Sequence, residues 1–194
     1  MKITVANTKG GTAKTTSAVM IATVLAKAGH AVELWDADPQ GSASTWAEIA
    51  EENDSELPFR TIAVNARTVK KSTPTGVDTV IVDTNPHTPD IVQAAVDTSD
   101  HVLVPTTPSP LDLDRTWMTL DVCGDKNVHV LMTVVEPRTI AYRQAVAALD
   151  EEHAPRLNAY IPKATAIKDE TVRTPERFYG YDDVVAELGL LNND

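Results

Sequence analysis

The sequence is short of three things, and each shortage excludes a class of protein. A single cysteine, Cys123, occurs among 194 residues. It can form no internal disulfide, and no multi-cysteine zinc or iron–sulfur site can be built within one chain. Positive charge is scarce: 17 Lys and Arg stand against 28 Asp and Glu, a formal net charge of −11. That excludes a uniformly basic coat for nucleic acid but leaves room for a local basic face, because binding is local and net charge is a sum. Long apolar runs are missing. Thr16–Ala28 is too short and too broken by polar residues to span a bilayer, and Met1–Val5 reads as a strand without the apolar core of a signal peptide. The hydrophobic fraction of 42% and the charged fraction of 23% suit a soluble fold, and the length suits one domain with a real core. The expectation is one cytoplasmic domain over residues 1–194.

Short apolar runs alternate with helix-length segments. Strands are predicted at Ile3–Ala6, Val32–Trp35, Phe59–Val64, Val77–Val82, His101–Pro105, Val128–Val135 and Ala159–Ile161. Helices are predicted at Thr15–Ala28, Ser42–Glu51, Pro89–Val96, Leu111–Val122 and Ile140–His153. The first helix places Ala18, Ile21, Ala22 and Leu25 on one stripe and stops at Gly29. This order implies an α/β fold: a doubly wound, mostly parallel sheet with helices on both faces. Lys70–Gly76 reads as an exposed loop, Gly180–Asp194 as an acidic tail, and Cys123 as a residue packed in or near the core.

The segment Lys9-Gly10-Gly11-Thr12-Ala13-Lys14-Thr15-Thr16 lies between the first strand and the first helix. A phosphate loop needs that setting, since backbone N–H groups and a helix N-terminus both face the anion. Gly10 and Gly11 permit close approach of the backbone, Lys14 would reach the β- and γ-phosphates, and the Thr15 hydroxyl would ligate Mg²⁺. A plain Gly-Gly turn with a solvated lysine would use the same residues. The strict phosphate-loop pattern is not met, because Thr8 and Ala13 stand at its glycine positions. Two further strands end in carboxylates: Val32–Trp35 runs into Asp36-Ala37-Asp38-Pro39-Gln40-Gly41, and Val80-Ile81-Val82 into Asp83. Open α/β sheets bind ligands at that end of the strands. Strand-end Asx turns would account for the same aspartates.

The octet resembles the deviant Walker A motif of the ParA/MinD superfamily of ATPases, within the phosphate-loop NTPase fold. Asp36–Gly41 is similar to that family's second signature, and Val80–Asp83 to its Walker B strand. The resemblance runs from Ile3 to about Arg173. It implies ATP/ADP and Mg²⁺ as ligands, with Gly10 through Thr16 around the phosphates. Lys9 would reach across a homodimer to the partner's nucleotide, Asp38 would orient the attacking water, Asp36 would stand near the metal shell, and Asp83 would hold Mg²⁺ through water. Catalytic roles thus fall to Lys9, Lys14 and Asp38, and metal roles to Thr15, Asp36 and Asp83. The family usually has glycine where Ala13 stands, and often two prolines where this chain has Asn85-Pro86. Pro105–Asp112 resembles a proline-rich segment near the nucleotide and the dimer face; a rigid loop before a helix would read the same way. Ile161-Pro162-Lys163 resembles the element that lines adenine, which makes Pro162 and Lys163 base-pocket candidates.

From Lys126 to Arg177, eight Lys or Arg meet seven Asp or Glu, whereas Ala37–Asp100 carries eleven acids and four bases. The family binds DNA as an ATP dimer through late helices, so Lys163, Lys168, Arg173 and Arg177 are the candidates for contact with non-specific double-stranded DNA. An ordinary solvated surface would also carry these residues. The resemblance further implies a centromere-binding, ParB-like partner and association with the nucleoid when ATP is bound. The chain starts at its first strand, so no sequence-specific operator reader is expected, and the acidic tail argues against membrane attachment. Two rivals remain open: a small-molecule ATP-dependent ligase of the same superfamily, similar to dethiobiotin synthetase, and a weakly catalytic positioning scaffold.

Overall fold

The computed structural model describes residues 1–191; the side chain of Lys168 lies outside that description. Seven strands form one sheet: β1 (Lys2–Val5), β2 (Val32–Ala37), β3 (Arg60–Ala63), β4 (Thr79–Thr84), β5 (His101–Thr106), β6 (Val128–Val135) and β7 (Arg156–Pro162). Their order is β3-β2-β4-β1-β5-β6-β7 and every pairing is parallel. Strands covered on both faces need apolar side chains on both. Accordingly Leu34, Ile81, Leu103 and Leu131 join one core with Met20, Ile21 and Leu25 of α1 (Lys14–Lys27), and with residues of α2 (Ser42–Glu52) and α6 (Tyr181–Glu187). Alternate residues point the other way. Val80 and Val82 pack on Ala94 and Ala95 of α3 (Pro89–Asp97), Val102 and Val104 on Val92 and Cys123, and Val130 and Met132 on Leu113 of α4 (Pro110–Cys123) and Leu149 of α5 (Ile140–Glu151). Cys123 is buried, and burial pushes its thiol up to about 11, so it is a packing residue.

Most boundaries shift by a residue or two from the sequence reading, and three differences have a clear physical cause. β4 starts two residues later than predicted, because Asp78 is drawn into the preceding turn: its backbone N–H donates to the Ala31 carbonyl and its carboxylate accepts from Ala31 N at 2.8 Å. β7 is longer than Ala159–Ile161. It is an edge strand with irregular register against β6, and its alternating burial hides the apolar signal. The supposed acidic tail contains α6. Gly180 starts it at φ +97, and Tyr181, Val184 and Val185 are fully buried while Asp182 and Asp183 face water. Tyr181 Oη lies 3.0 Å from Ser17 Oγ of α1. A 3₁₀ segment, Thr165–Val172, precedes it and was not foreseen. No helix among the described residues is long and apolar enough to cross a membrane.

Candidate functional site

The carboxyl ends of β1, β2 and β4 meet because the register pairs Val5 with Asp83 and Asp36 with Asp83. The loop after β1 is anchored on both sides. Asn7, nearly inaccessible, donates through Nδ2 to the Pro105 carbonyl at 2.8 Å and accepts from Lys9 N at 2.8 Å. Thr8 N donates to Thr119 Oγ1 of α4, and Thr133 Oγ1 of β6 donates to the Thr12 carbonyl. The sequence reading missed Asn7; its partner, the Pro105 carbonyl, lies 98 residues away, so no local pattern marks it.

Within the loop, Gly11 lies at φ +79, which favours glycine, and a Cβ added at Gly10 or Gly11 would touch nothing within 4 Å. Both glycines are exposed, so a ligand's oxygen atoms can come against their backbone. Ala13 adopts φ 66, ψ 31, a left-handed conformation that costs an L-residue with a Cβ roughly 1 kcal/mol. Its carbonyl accepts from Ser17 N at 2.8 Å and so starts α1. The backbone demand for glycine survives here although the residue has changed. Lys14 is 7% exposed, and its ammonium donates to the Lys9 carbonyl at 2.7 Å. Burial lowers its pKa, while Asp83 and Asp38 oppose that shift. The Lys9 side chain, in contrast, is exposed. The two lysines of the motif are thus sorted, one turned inward to the loop and one left in solvent.

The three aspartates are also distinct. Both oxygens of Asp36 are engaged: one accepts from Asp38 N, the other from Ser44 N at 2.8 Å and Ser44 Oγ at 2.7 Å. Asp36 therefore holds the turn and the first residues of α2. Asp38 is half-buried, with Oδ1 accepting from Gln40 N and from Asn85 Nδ2. Asp83 is fully buried, and neither of its oxygens has a formed hydrogen bond. Desolvation pushes its pKa up to about 7; Asp36 and Asp38 push the same way, and the approach of the Thr15 hydroxyl and the charge of Lys14 offset only part. A buried, unpartnered carboxylate beside a threonine hydroxyl is a donor set with oxygen valences left for a hard cation. Among the described residues no three His, Cys, Asp or Glu side chains converge as a cage, which fits a cation held by one or two protein oxygens and otherwise by water and phosphate.

Gly10, Gly11, Ala13, Lys14, Thr15, Thr16 and Asp38 line one open cleft of about 680 Å³, together with Trp46, Asn85 and His87. A second cavity of about 340 Å³ shares Ala13 and Thr16 with it. Ile161, Pro162, Lys163 and Ile167 form its wall, with Val134 and Tyr181. Its apolar lining suits a flat base, and its place behind Thr16 suits a nucleoside whose phosphates lie on the loop. Val134 stands at φ 53 where β6 loses register, a strained β-branched residue at the mouth of this cavity. In the proline-rich segment, Thr107 Oγ1 donates to Asp112 Oδ2 at 2.6 Å and Pro110 opens α4, as the rigid-loop expectation describes.

The late cations are not gathered in the same way. Lys163 is exposed and donates to Glu136 Oε1 at 2.6 Å, which raises its pKa. Arg173 and Arg177 are exposed, and the Arg173 carbonyl accepts from Trp46 Nε1 at 2.9 Å. The side chain of Lys168 lies outside the described residues.

Comparison with known proteins agrees with this geometry. Residues 3–174 match the family described as the CobQ/CobB/MinD/ParA nucleotide binding domain. The chain is 39% identical over 173 residues to a maintenance of carboxysome distribution protein A from Gloeobacter kilaueensis, covering 82% of this chain and 75% of that one. It is 33% identical over 161 residues to a protein ParA from Rhizobium radiobacter, covering 77% and 72%. Its fold matches the crystal structure of a plasmid partition protein from Borrelia burgdorferi bound to AMPPNP, with a TM-score of 0.77 at 17% identity over 97% of this chain and 98% of that one. On the loop, the paired strand-end carboxylates and these matches together, the chain belongs to the CobQ/CobB/MinD/ParA family of nucleotide-binding domains.

Proposed function

We propose that this chain is a partition ATPase whose ATP-bound form is a sandwich dimer that binds double-stranded DNA without sequence preference, and that slow hydrolysis resets it. The observation that carries the reading is the sorting of the two motif lysines: Lys14 is buried against its own loop while Lys9 stands in solvent beside it. Lys14 already serves the phosphates of its own loop; a second, outward-facing lysine on that loop is free to reach another copy's nucleotide.

Each residue then has a task. Backbone N–H groups of Gly10 to Thr16 and the α1 N-terminus hold the phosphates. Lys14 exchanges the Lys9 carbonyl for phosphate oxygens. Thr15 and Asp83 would hold Mg²⁺, which supplies charge neutralisation on the phosphates when bound. Asp36 keeps the turn that carries Asp38 and, with both oxygens already accepting hydrogen bonds, would leave Mg²⁺ to Thr15 and Asp83. Asp38 accepts a hydrogen bond from the attacking water and aligns it. Lys9, from the opposite protomer, offsets charge developing in the transition state. Pro162 and the stem of Lys163 enclose the base. Lys163, Lys168, Arg173 and Arg177 supply the DNA contacts, with Lys163 first releasing Glu136. A ParB-like partner stimulates hydrolysis, and the ATP dimer resides on the nucleoid while the rest is cytoplasmic. The cargo is read as a plasmid or chromosome; the 39% identity to a carboxysome-distribution protein favours a protein organelle as the second reading.

Sedimentation velocity with a slowly hydrolysed ATP analogue, with ADP and with no nucleotide tests the switch. The expected result is a dimer with the analogue alone and a monomer in all three states for Lys9→Ala. Monomers throughout, with nucleotide occupancy confirmed, would contradict it and favour the small-molecule ligase. A dimer without measurable hydrolysis would favour the scaffold.

A further inference from the structure

We infer that Asn85 is a positioning residue for hydrolysis: its side-chain amide clamps one oxygen of Asp38 and leaves the other free for the attacking water. The inference rests on the reading of Asp38 as the carboxylate that aligns that water.

The geometry starts from repulsion. Asp36, Asp38 and Asp83 lie at the ends of two adjacent strands, with Asp36 and Asp83 directly paired in register. Charges so placed push a half-exposed carboxylate outward unless a donor holds it. The local ties of Asp38 all come from its own turn: Gln40 N donates to Oδ1, Gly41 N donates to the Asp38 carbonyl, and Asp38 N donates to Asp36. They shape the turn but leave it free to swing as a unit. Asn85, 47 residues away on the loop that follows β4, supplies the tie from another strand, with Nδ2 donating to Asp38 Oδ1 at 2.5 Å. Among the described residues no hydrogen bond is made to Asp38 Oδ2, and Asp38 lines the cleft.

The orientation of the amide is fixed independently. Asn85 Oδ1 accepts from His87 N at 2.7 Å, and a backbone N–H can only donate. Turning the amide over would set oxygen against the Asp38 carboxylate and NH₂ against that N–H. Asn85 is 8% exposed, and its carbonyl accepts from Thr88 Oγ1, so the loop holds the side chain rigidly. A proline at this position, which the resembling pattern often carries, has no side-chain donor. Asn85 also joins the loop after β4, which begins at the buried Asp83, to the turn after β2. A change at the metal carboxylate thus reaches the water-aligning carboxylate through a single side chain.

Single-turnover ATP hydrolysis, together with KM for ATP, should be measured on the full chain for Asn85→Ala, Asn85→Asp, Asp38→Ala and the Asn85→Ala/Asp38→Ala double variant. Asn85→Asp keeps size and shape but replaces the donor by a carboxylate that repels Asp38, so it should displace Asp38 at least as far and still reports if the alanine variant folds poorly. Both Asn85 variants are expected to hydrolyse about ten- to a hundredfold more slowly with KM nearly unchanged, since misplacing a reacting group by about 1 Å costs rates of that order. In the Asp38→Ala background, Asn85→Ala should add no further loss. Slow Asp38→Ala with unimpaired Asn85 variants would overturn the clamp and leave the reading of Asp38 standing. An equal further loss in the Asp38→Ala background would also overturn it, placing the effect elsewhere. Unimpaired Asp38→Ala would overturn the reading of Asp38 itself, and the clamp with it.

Discussion

Burial holds the Asp83 carboxylate at an energetic disadvantage, and the size of that disadvantage can be measured. Its carboxyl group is fully buried without a hydrogen bond, and its pKa rises from 3.8 to about 7. Below the lower value the group is protonated in both the folded and the unfolded chain and contributes nothing. Between the two values the unfolded chain loses the proton and the folded chain keeps it, so stability falls as pH rises. Above about pH 7 both are ionised and the loss is complete. At about 1.4 kcal/mol per tenfold change in proton affinity, the full penalty is roughly 4 kcal/mol. Asp83→Asn removes the charge at constant size. Lys14 loses an attractive neighbour in the exchange, so the net gain is expected at about 1–3 kcal/mol. For a chain of this length that raises Tm by roughly 2–10 °C. Thermal melts of both proteins in chelator, followed across the mildly acidic to mildly basic range, provide the assay. The variant should be the more stable, with an advantage that grows as pH rises and levels off above neutrality. Saturating Mg²⁺ and nucleotide should reverse the ranking, because only the native carboxylate gains from the cation. A variant less stable than the native protein in chelator, or an advantage that ignores pH, would refute the reasoning.

Other consequences can be checked with the same material. Ala13→Gly relieves a left-handed alanine worth roughly 1–2 kcal/mol against a glycine entropy cost of about 0.5–1 kcal/mol, so a small rise in Tm and tighter nucleotide binding are expected; a fall in both would mean the loop is not strained at Ala13. Lys14→Ala should abolish nucleotide binding by calorimetry without unfolding the chain, and normal binding would remove the loop from the site. Tyr181→Phe leaves the buried Ser17 hydroxyl without its partner and should cost about 1–2 kcal/mol, whereas Tyr181→Ala should cost about 3–5 kcal/mol; denaturant melts in which neither matters would show that α6 is not part of the core.

The sequence was most readable where one residue type answers one local demand. β6 matches its predicted bounds of Val128–Val135 because six of its eight residues are apolar and all but His129 and Val134 are buried. The phosphate loop was legible because strand, glycines and lysine follow each other directly. Less was legible where local signals conflict with tertiary contacts. α6 has seven residues, and the acids on its wet face outweigh by eye the Tyr181, Val184 and Val185 that it buries. Asp36 and Asp38 look alike in sequence, yet Ser44 and Asn85 give them different work, and neither partner is adjacent. Asn7 was invisible for the same reason, since its partner is the Pro105 carbonyl on another strand. Basic residues after Lys126 could be counted but not placed, and the structure shows two of them, Arg156 and Lys163, already paired with acids.

If nucleotide state sets DNA binding, affinity for an arbitrary labelled duplex must follow the nucleotide. The titration is run with a slowly hydrolysed ATP analogue, with ADP and without nucleotide, across a salt series. Binding is expected with the analogue alone, weakening steeply as salt rises because the contacts are to phosphates. Equal binding in all three states, or none in any state with nucleotide occupancy confirmed, would contradict it.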